Sequence, residues 1–162
     1  MGADIRIDSP REVAGEPVAD LHVRYAPLHG IDIPPELVPV AIDEFPALFV
    51  AAACASGRTV LTGAEELRVK ESDRIQVMAD GLKTLGIDAT ATPDGMIIEG
   101  GVFGGGVIDS HGDHRIAMAF AMASLRARGS IEILDCTNVN TSFPGFVELA
   151  GGAGLHISLE RG

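Results

Sequence analysis

The chain has no tryptophan, one tyrosine and six phenylalanines, so aromatic residues make up 4% of its 162 positions. Its core must be assembled from Ala, Val, Ile, Leu and Met, and the length is enough for one domain with a real interior. Two cysteines, Cys54 and Cys136, cannot make a disulfide framework. Cys54 lies in an apolar run and reads as a small buried hydrophobe. Long apolar runs are missing too. The two strongest, residues 45–55 and 116–125, fall short of the ~20 residues that cross a bilayer. The opening Met1-Gly2-Ala3-Asp4 is not a signal peptide in character. These features predict buried helices in a cytoplasmic protein. Positive charge is scarce as well: 12 Lys and Arg stand against 23 Asp and Glu, a formal net charge of -11. Such a chain repels polyphosphates and anionic bilayers, which excludes nucleic acid and membrane as partners. Any small anion it binds needs a local cluster of its few cations, so their positions are informative.

Glycine is plentiful, at 20 residues, and its placement punctuates the chain. Residues 1–30 read as strands and turns, with Ile5 and Ile7, then Leu21 and Val23, alternating with polar positions and Gly15-Glu16-Pro17 marking a turn. They read as the end strands of a preceding unit. Pro34, Pro35 and Pro39 make 31–42 a connection or an edge strand. A helix follows, capped by Asp43 or Glu44, with Pro46 in its first turn and Gly57 past its end. Its body from Ala47 to Ala55 is apolar on every side, which predicts all-round burial. A short strand at Thr59–Leu61 precedes a helix beginning near Ser72, whose Ile75, Met78, Leu82 and Leu85 form one stripe. Residues 87–99 read as a hairpin about Pro93-Asp94-Gly95.

A similar succession then recurs. Asp113 opens a helix over 116–125, a strand follows at Ile131–Leu134, and a weaker helix runs from Ser142-Phe143-Pro144 to Gly151-Gly152. A last strand is expected at Leu155–Leu159. Gly57 aligns with Gly129, Leu61 with Ile133 and Ile75 with Val147, at a period of about 70 residues. The expected fold class is α/β (α+β) with repeated βαβαββ units: 31–100 the first, 101–162 the second, in one partial domain.

The ionisable residues collect at the helix starts: Asp43-Glu44, then 68–74, then Asp113-His114-Arg115. A helix N-terminus offers unpaired N–H groups and partial positive charge, so acidic residues there act as caps. Arg74 and Arg115 oppose that dipole, which calls for an anionic ligand or an acidic neighbour. His111-Gly112-Asp113-His114 resembles a metal motif, but no second His/Cys cluster completes a ligand set, so no metal is expected. Gly104-Gly105-Gly106 lacks a phosphate-loop pattern and reads as a flexible turn.

Four runs resemble the signatures of the EPSP synthase family, in the family's order and spacing. They are I-D-E-F-P at 42–46, L-R-V-K-E-S-D-R at 67–74, G-D-H-R-I-A-M at 112–118 and N-T-S-F-P at 140–144. The resemblance covers about Gly15 to the end and matches the family's C-terminal portion. Family chains are more than twice this length and fold as two similar domains of three βαβαββ copies each, an inside-out α/β barrel. The resemblance implies transfer of the enolpyruvyl group of phosphoenolpyruvate to the 5-hydroxyl of shikimate 3-phosphate, with release of phosphate and no cofactor. On that basis Asp43 is the base at the hydroxyl, and Glu71 donates and removes the methylene proton. Lys70 lies beside the hydroxyl, Arg74 and Arg115 hold the carboxylate or phosphate of phosphoenolpyruvate, and Asp113 and His114 line the pocket. Two positions depart from some members: Thr141 stands where they have Lys, and Glu66 where they have Asn, which leaves the roles of both open. The family's N-terminal lysine lies outside this chain, so the missing N-terminal part of the enzyme is the expected partner and the chain alone is expected to be inactive. Two alternatives are the sister UDP-N-acetylglucosamine enolpyruvyl transferase, which the 68–74 run disfavours, and a non-catalytic module binding small anions.

Overall fold

The computed structural model describes residues 1–160. β1 (Asp4–Val13) and β2 (Glu16–Arg24) form an antiparallel ribbon. Its register sets Ile5 opposite Val23 and Ile7 opposite Leu21, so the period of two puts these four on one face. All four remain more than half exposed. The chain then passes beside β3 (Arg58–Leu61) in parallel, with Gly30 N donating to Ser56 O and Ile33 N to Val60 O.

α1 (Phe45–Ala53) precedes β3, and α2 (Arg74–Thr84) carries the chain to β4 (Ala89–Thr92). β5 (Gly95–Glu99) turns back and inserts between β3 and β4, antiparallel to both. β6 (Gly106–Asp109) and β7 (Ile131–Leu134) pair in parallel and are joined through α3 (His114–Ala123), as a parallel pair requires a crossover. α4 (Val139–Ser142) and α5 (Phe146–Gly152) follow.

The expected stripe of α2 is inside: Ile75, Met78, Leu82 and Leu85 are at most 1% exposed. They join Phe45 and Phe49 of α1 and Phe120 of α3 in one core. α2 meets α3 at Gly81, where a Cβ would lie 2.4 Å from Phe120 Cζ. Only a residue without a side chain permits that approach.

Four expectations are corrected. α1 is not buried all round, because Ala47 is exposed, and the face it would need a partner for stays open. Neither Asp43 nor Glu44 caps it through a side-chain hydrogen bond; Asp43 sits in a 3-10 turn, Ile42–Glu44, just before it. The glycine run is no loose turn: Gly106 starts β6, and a Cβ on Gly105 would lie 2.7 Å from Ser130 O, so the run lets two backbones touch. Residues 155–159 form no strand, since they have no ladder partner among the described residues. Only Leu155 of that segment is buried.

Candidate active site

Three helix starts converge because α1 packs on α3 and on α2. Asp43 comes from the 3-10 turn before α1. Lys70 is extended after a second 3-10 segment, Glu65–Val69, and Glu71 to Asp73 lead into α2. Asp73 caps α2, its side chain accepting from Gln76 N. Asp113 caps α3, accepting from Arg115 N at 3.0 Å and Ile116 N at 3.4 Å.

Arg74 is the centre of this convergence, with its side chain 1% exposed. An unpaired charge there would be strongly unfavourable, and three carboxylates answer it. Nε donates to Asp113 Oδ2 at 2.8 Å, Nη1 to Asp43 Oδ1 at 3.0 Å and Nη2 to Glu71 Oε2 at 2.6 Å. The planar fork of arginine suits a division among several oxygens. Asp113 is fully buried, and Ser72 Oγ donates to its Oδ2 at 3.1 Å. Burial pushes the Asp113 carboxyl up, but Arg74, Arg115 N and Ser72 outweigh it and hold the group below the usual carboxylate value. Asp43 is likewise held low: burial, the largest single influence, pushes its carboxyl up, but Lys70, Arg74 and Arg115 together outweigh it.

Around this centre, Lys70 Nζ lies 2.5 Å from Glu66 Oε1 and 3.5 Å from Asp43 Oδ1. Arg115 Nη1 donates to Asp43 O at 2.9 Å and to Glu44 Oε1 at 3.1 Å. Arg68 binds Asp73 and the carbonyls of Thr92 and Pro93, tying the start of α2 to the β4–β5 turn. A shallow cleft of about 140 Å³ opens beside Asp43, Glu44 and Arg115 and is floored by Met118 and Met122. A larger hollow of about 310 Å³, near Tyr25, Cys54 and Arg126, contains none of these groups.

The structure thus gathers Asp43, Lys70, Glu71, Arg74, Asp113 and Arg115 at one place. His114, the first residue of α3, is half-buried and outside the ion-pair network. The two arginines have acidic neighbours, and they do not form a shared exposed anion site. Arg74 faces inward and is engaged on all sides; for it to meet a ligand anion, half-exposed Glu71 or Asp43 must move off it. Thr141 is exposed on α4. Sequence reasoning gave no role to Ser72 or Arg68 and only a capping role to Glu44; their partners are long-range or in turns and leave no periodic signal. Among the described residues no group of three His, Cys, Asp or Glu is arranged to hold a metal ion, and no helix is long and apolar enough to cross a membrane.

Residues 1–149 match the family model described as EPSP synthase (3-phosphoshikimate 1-carboxyvinyltransferase). Among curated proteins, the 3-phosphoshikimate 1-carboxyvinyltransferase of Methylococcus capsulatus is 72% identical over 159 residues, which is 98% of this chain and 36% of that one. That of Alkalilimnicola ehrlichii is 71% identical over 163 residues, 100% of this chain and 36% of the relative. Among solved structures, EPSP synthase from Acinetobacter baumannii superposes with a TM-score of 0.97 at 59% identity, over 99% of this chain and 38% of the other. The chain therefore spans little more than a third of the length of the relatives it matches.

Proposed function

The chain belongs to the EPSP synthase family, and on that premise we propose that it is the C-terminal portion of a 3-phosphoshikimate 1-carboxyvinyltransferase and carries part of its active site. The reaction is transfer of the enolpyruvyl group of phosphoenolpyruvate to the 5-hydroxyl of shikimate 3-phosphate, releasing phosphate, in a cytoplasmic enzyme of the shikimate pathway. Residues 1–30, 31–100 and 101–162 are then the end of one βαβαββ copy and two further copies.

The observation that carries this reading is the pair of half-exposed carboxylates, Asp43 and Glu71, held on opposite nitrogens of one buried guanidinium. Addition of an alcohol across a carbon–carbon double bond needs one group to take the hydroxyl proton and another to protonate the methylene carbon. Asp43 is kept ionised by Lys70 and Arg74 and accepts the hydroxyl proton as the new C–O bond makes that proton acidic. Glu71 protonates the methylene carbon to give a tetrahedral intermediate. It then removes a proton from the same carbon as the C–O bond to phosphate breaks, which restores the double bond, and the proton held by Asp43 leaves with the phosphate. Lys70 and Arg115 border the oxygen atoms of the reacting groups, and Arg74 receives an anionic oxygen when Glu71 turns toward the methylene carbon. Asp113 orients Arg74, and His114 lines the pocket rim.

A module that only binds anions fits less well, because the cations here are already matched. Asp43, Glu44, Glu66, Glu71, Asp73 and Asp113 face Arg68, Lys70, Arg74 and Arg115. This excess of acid leaves two anionic substrates in need of positive groups from the rest of the enzyme. The test is a phosphate-release assay with both substrates on the chain co-expressed with the remaining part of the enzyme. Phosphate release that depends on both substrates and is lost in Glu71→Gln supports the reading. A folded, assembled protein with no such turnover overturns it.

A further inference from the structure

We propose that Glu66 is a positioning residue of this site: it draws the Lys70 ammonium away from Asp43 and sets where Lys70 stands between the two carboxylates. The proposal rests on the assignment of Lys70 and Asp43 to the active site given above. It goes beyond it by giving work to a position whose role the family resemblance leaves open.

The geometry is asymmetric. Lys70 Nζ is 2.5 Å from Glu66 Oε1, a full charge-assisted hydrogen bond, and 3.5 Å from Asp43 Oδ1, an ion pair without that contact. The Lys70 side chain is only 21% exposed, so its stem is held and its head chooses between two acceptors. The arrangement is not the ordinary pairing of neighbouring turns on an α-helix. Glu66 is in a 3-10 segment and Lys70 is extended past its end, so the pair closes across the point where the chain leaves the helical path toward α2.

The groups that bear on this ammonium are few. Glu66 comes from its own segment and Asp43 from the turn before α1. Arg74 and Arg115 bear on it through Asp43, which accepts from the Arg74 guanidinium and whose backbone carbonyl accepts from Arg115. Glu71 is occupied by Arg74. Glu66 is the foremost cause of the raised Lys70 titration, against the opposing effect of burial, with Asp43 adding to it.

Without the Glu66 charge, the ammonium closes on Asp43 as its one remaining carboxylate. Asp43 is then more strongly neutralised and a poorer acceptor for a hydroxyl proton. Lys70 itself, with one anion fewer, gives up its proton more easily. Glu66 is 60% exposed, so replacing it leaves the core untouched.

The chain has two lysines, Lys70 and Lys83, and Lys83 is exposed on α2, which makes it an internal standard. The experiment follows both lysine side chains by NMR through a pH titration of the chain and of Glu66→Gln and Glu66→Asp. The expected result is that Lys70 titrates at lower pH in Glu66→Gln, that Glu66→Asp restores most of the difference, and that Lys83 is unmoved. A Lys70 titration unchanged in Glu66→Gln overturns the proposal.

The companion measurement is the pH–rate profile of the full-length enzyme containing this segment. There Glu66→Gln lowers kcat by about two- to fivefold, the scale of one exposed ion pair, shifts the alkaline limb to lower pH and leaves KM for phosphoenolpyruvate within twofold. If Lys70→Met is as active as the parent enzyme, the site assignment itself fails. If Lys70→Met is impaired while Glu66→Gln has the parent's profile, the assignment stands and the role of Glu66 fails.

Discussion

Arg74 shows how one residue couples stability to chemistry. Its guanidinium is buried and shared by Asp43, Glu71 and Asp113. Removing it leaves Asp113 as an uncompensated charge in the interior, a loss of about 3–5 kcal/mol. Arg74→Met is therefore expected to unfold at much lower urea concentration. Arg74→Lys keeps the charge but not the fork and should fall between the two, as measured by urea unfolding. The acid side of the stability curve follows from the same groups. Asp43 and Asp113 titrate below the ordinary carboxylate value when folded, so the unfolded chain takes up protons first as pH falls. Their contribution is complete above about pH 5, starts to decline near the unfolded value of about 3.9, and is gone below the folded values. Asp113→Asn should be less stable at neutral pH and lose less on acidification, which thermal unfolding between pH 7 and pH 3 measures. In the proposed assignment Glu71 is the residue that acts at the reacting carbon. In the full-length enzyme Glu71→Gln should lower kcat by about 10²-fold or more, with KM changing far less. A large rise in KM at unchanged kcat would make Glu71 a binding residue instead.

At the scale of elements, α2 and α3 approach closely at Gly81. Alanine in place of a mid-helix glycine ordinarily stabilises by about 0.5–1 kcal/mol. At Gly81 the new methyl would meet the buried Phe120 ring at 2.4 Å, and overpacking of that kind costs about 1–3 kcal/mol. Gly81→Ala is expected to destabilise the chain. Phe120→Leu in the same background should recover part of the loss, a coupling that a double-mutant cycle by urea unfolding reads directly. The α2 stripe and the β4–β5 hairpin were legible beforehand because each rests on local periodicity and a two-residue turn. The strand β6 was not, since its four residues, Gly106 to Asp109, are too few to show an alternation. What makes it a strand is its parallel pairing with β7, Gly106 opposite Ile131 through Asp109 opposite Leu134, a ladder between distant residues. The expected strand at 155–159 fails for the complementary reason: an alternating pattern becomes a strand only where a neighbour accepts its backbone hydrogen bonds.

For the whole molecule, an apolar ribbon face and an acidic half-site have one consequence each. Ile5, Ile7, Leu21 and Val23 present a continuous exposed face, the kind of surface that mediates association. The chain by itself is expected to self-associate with rising concentration. Ile7→Lys with Leu21→Lys should shift it toward monomer in sedimentation velocity. On the proposed function, the acid excess around Arg74 means that the chain alone holds the two anionic substrates poorly. With both substrates present it should release no phosphate above the rate without protein.

The sequence by itself determined the helices with a clear stripe or an apolar body, the hairpin turn, the family, and the gathering of charged residues at helix starts. Each of these is written in residue type and short-range spacing, and four motifs in order leave little room for another family. The tertiary structure decided what those charges do to one another. Capping could not account for Arg74, and a ligand or an acidic neighbour answered equally well. Only the packing of α1, α2 and α3 sets Asp43, 31 residues away, and Asp113, 39 residues away, on the two sides of its guanidinium. Coulomb interactions and hydrogen bonds depend on separation in space, and separation along the chain carries no record of it.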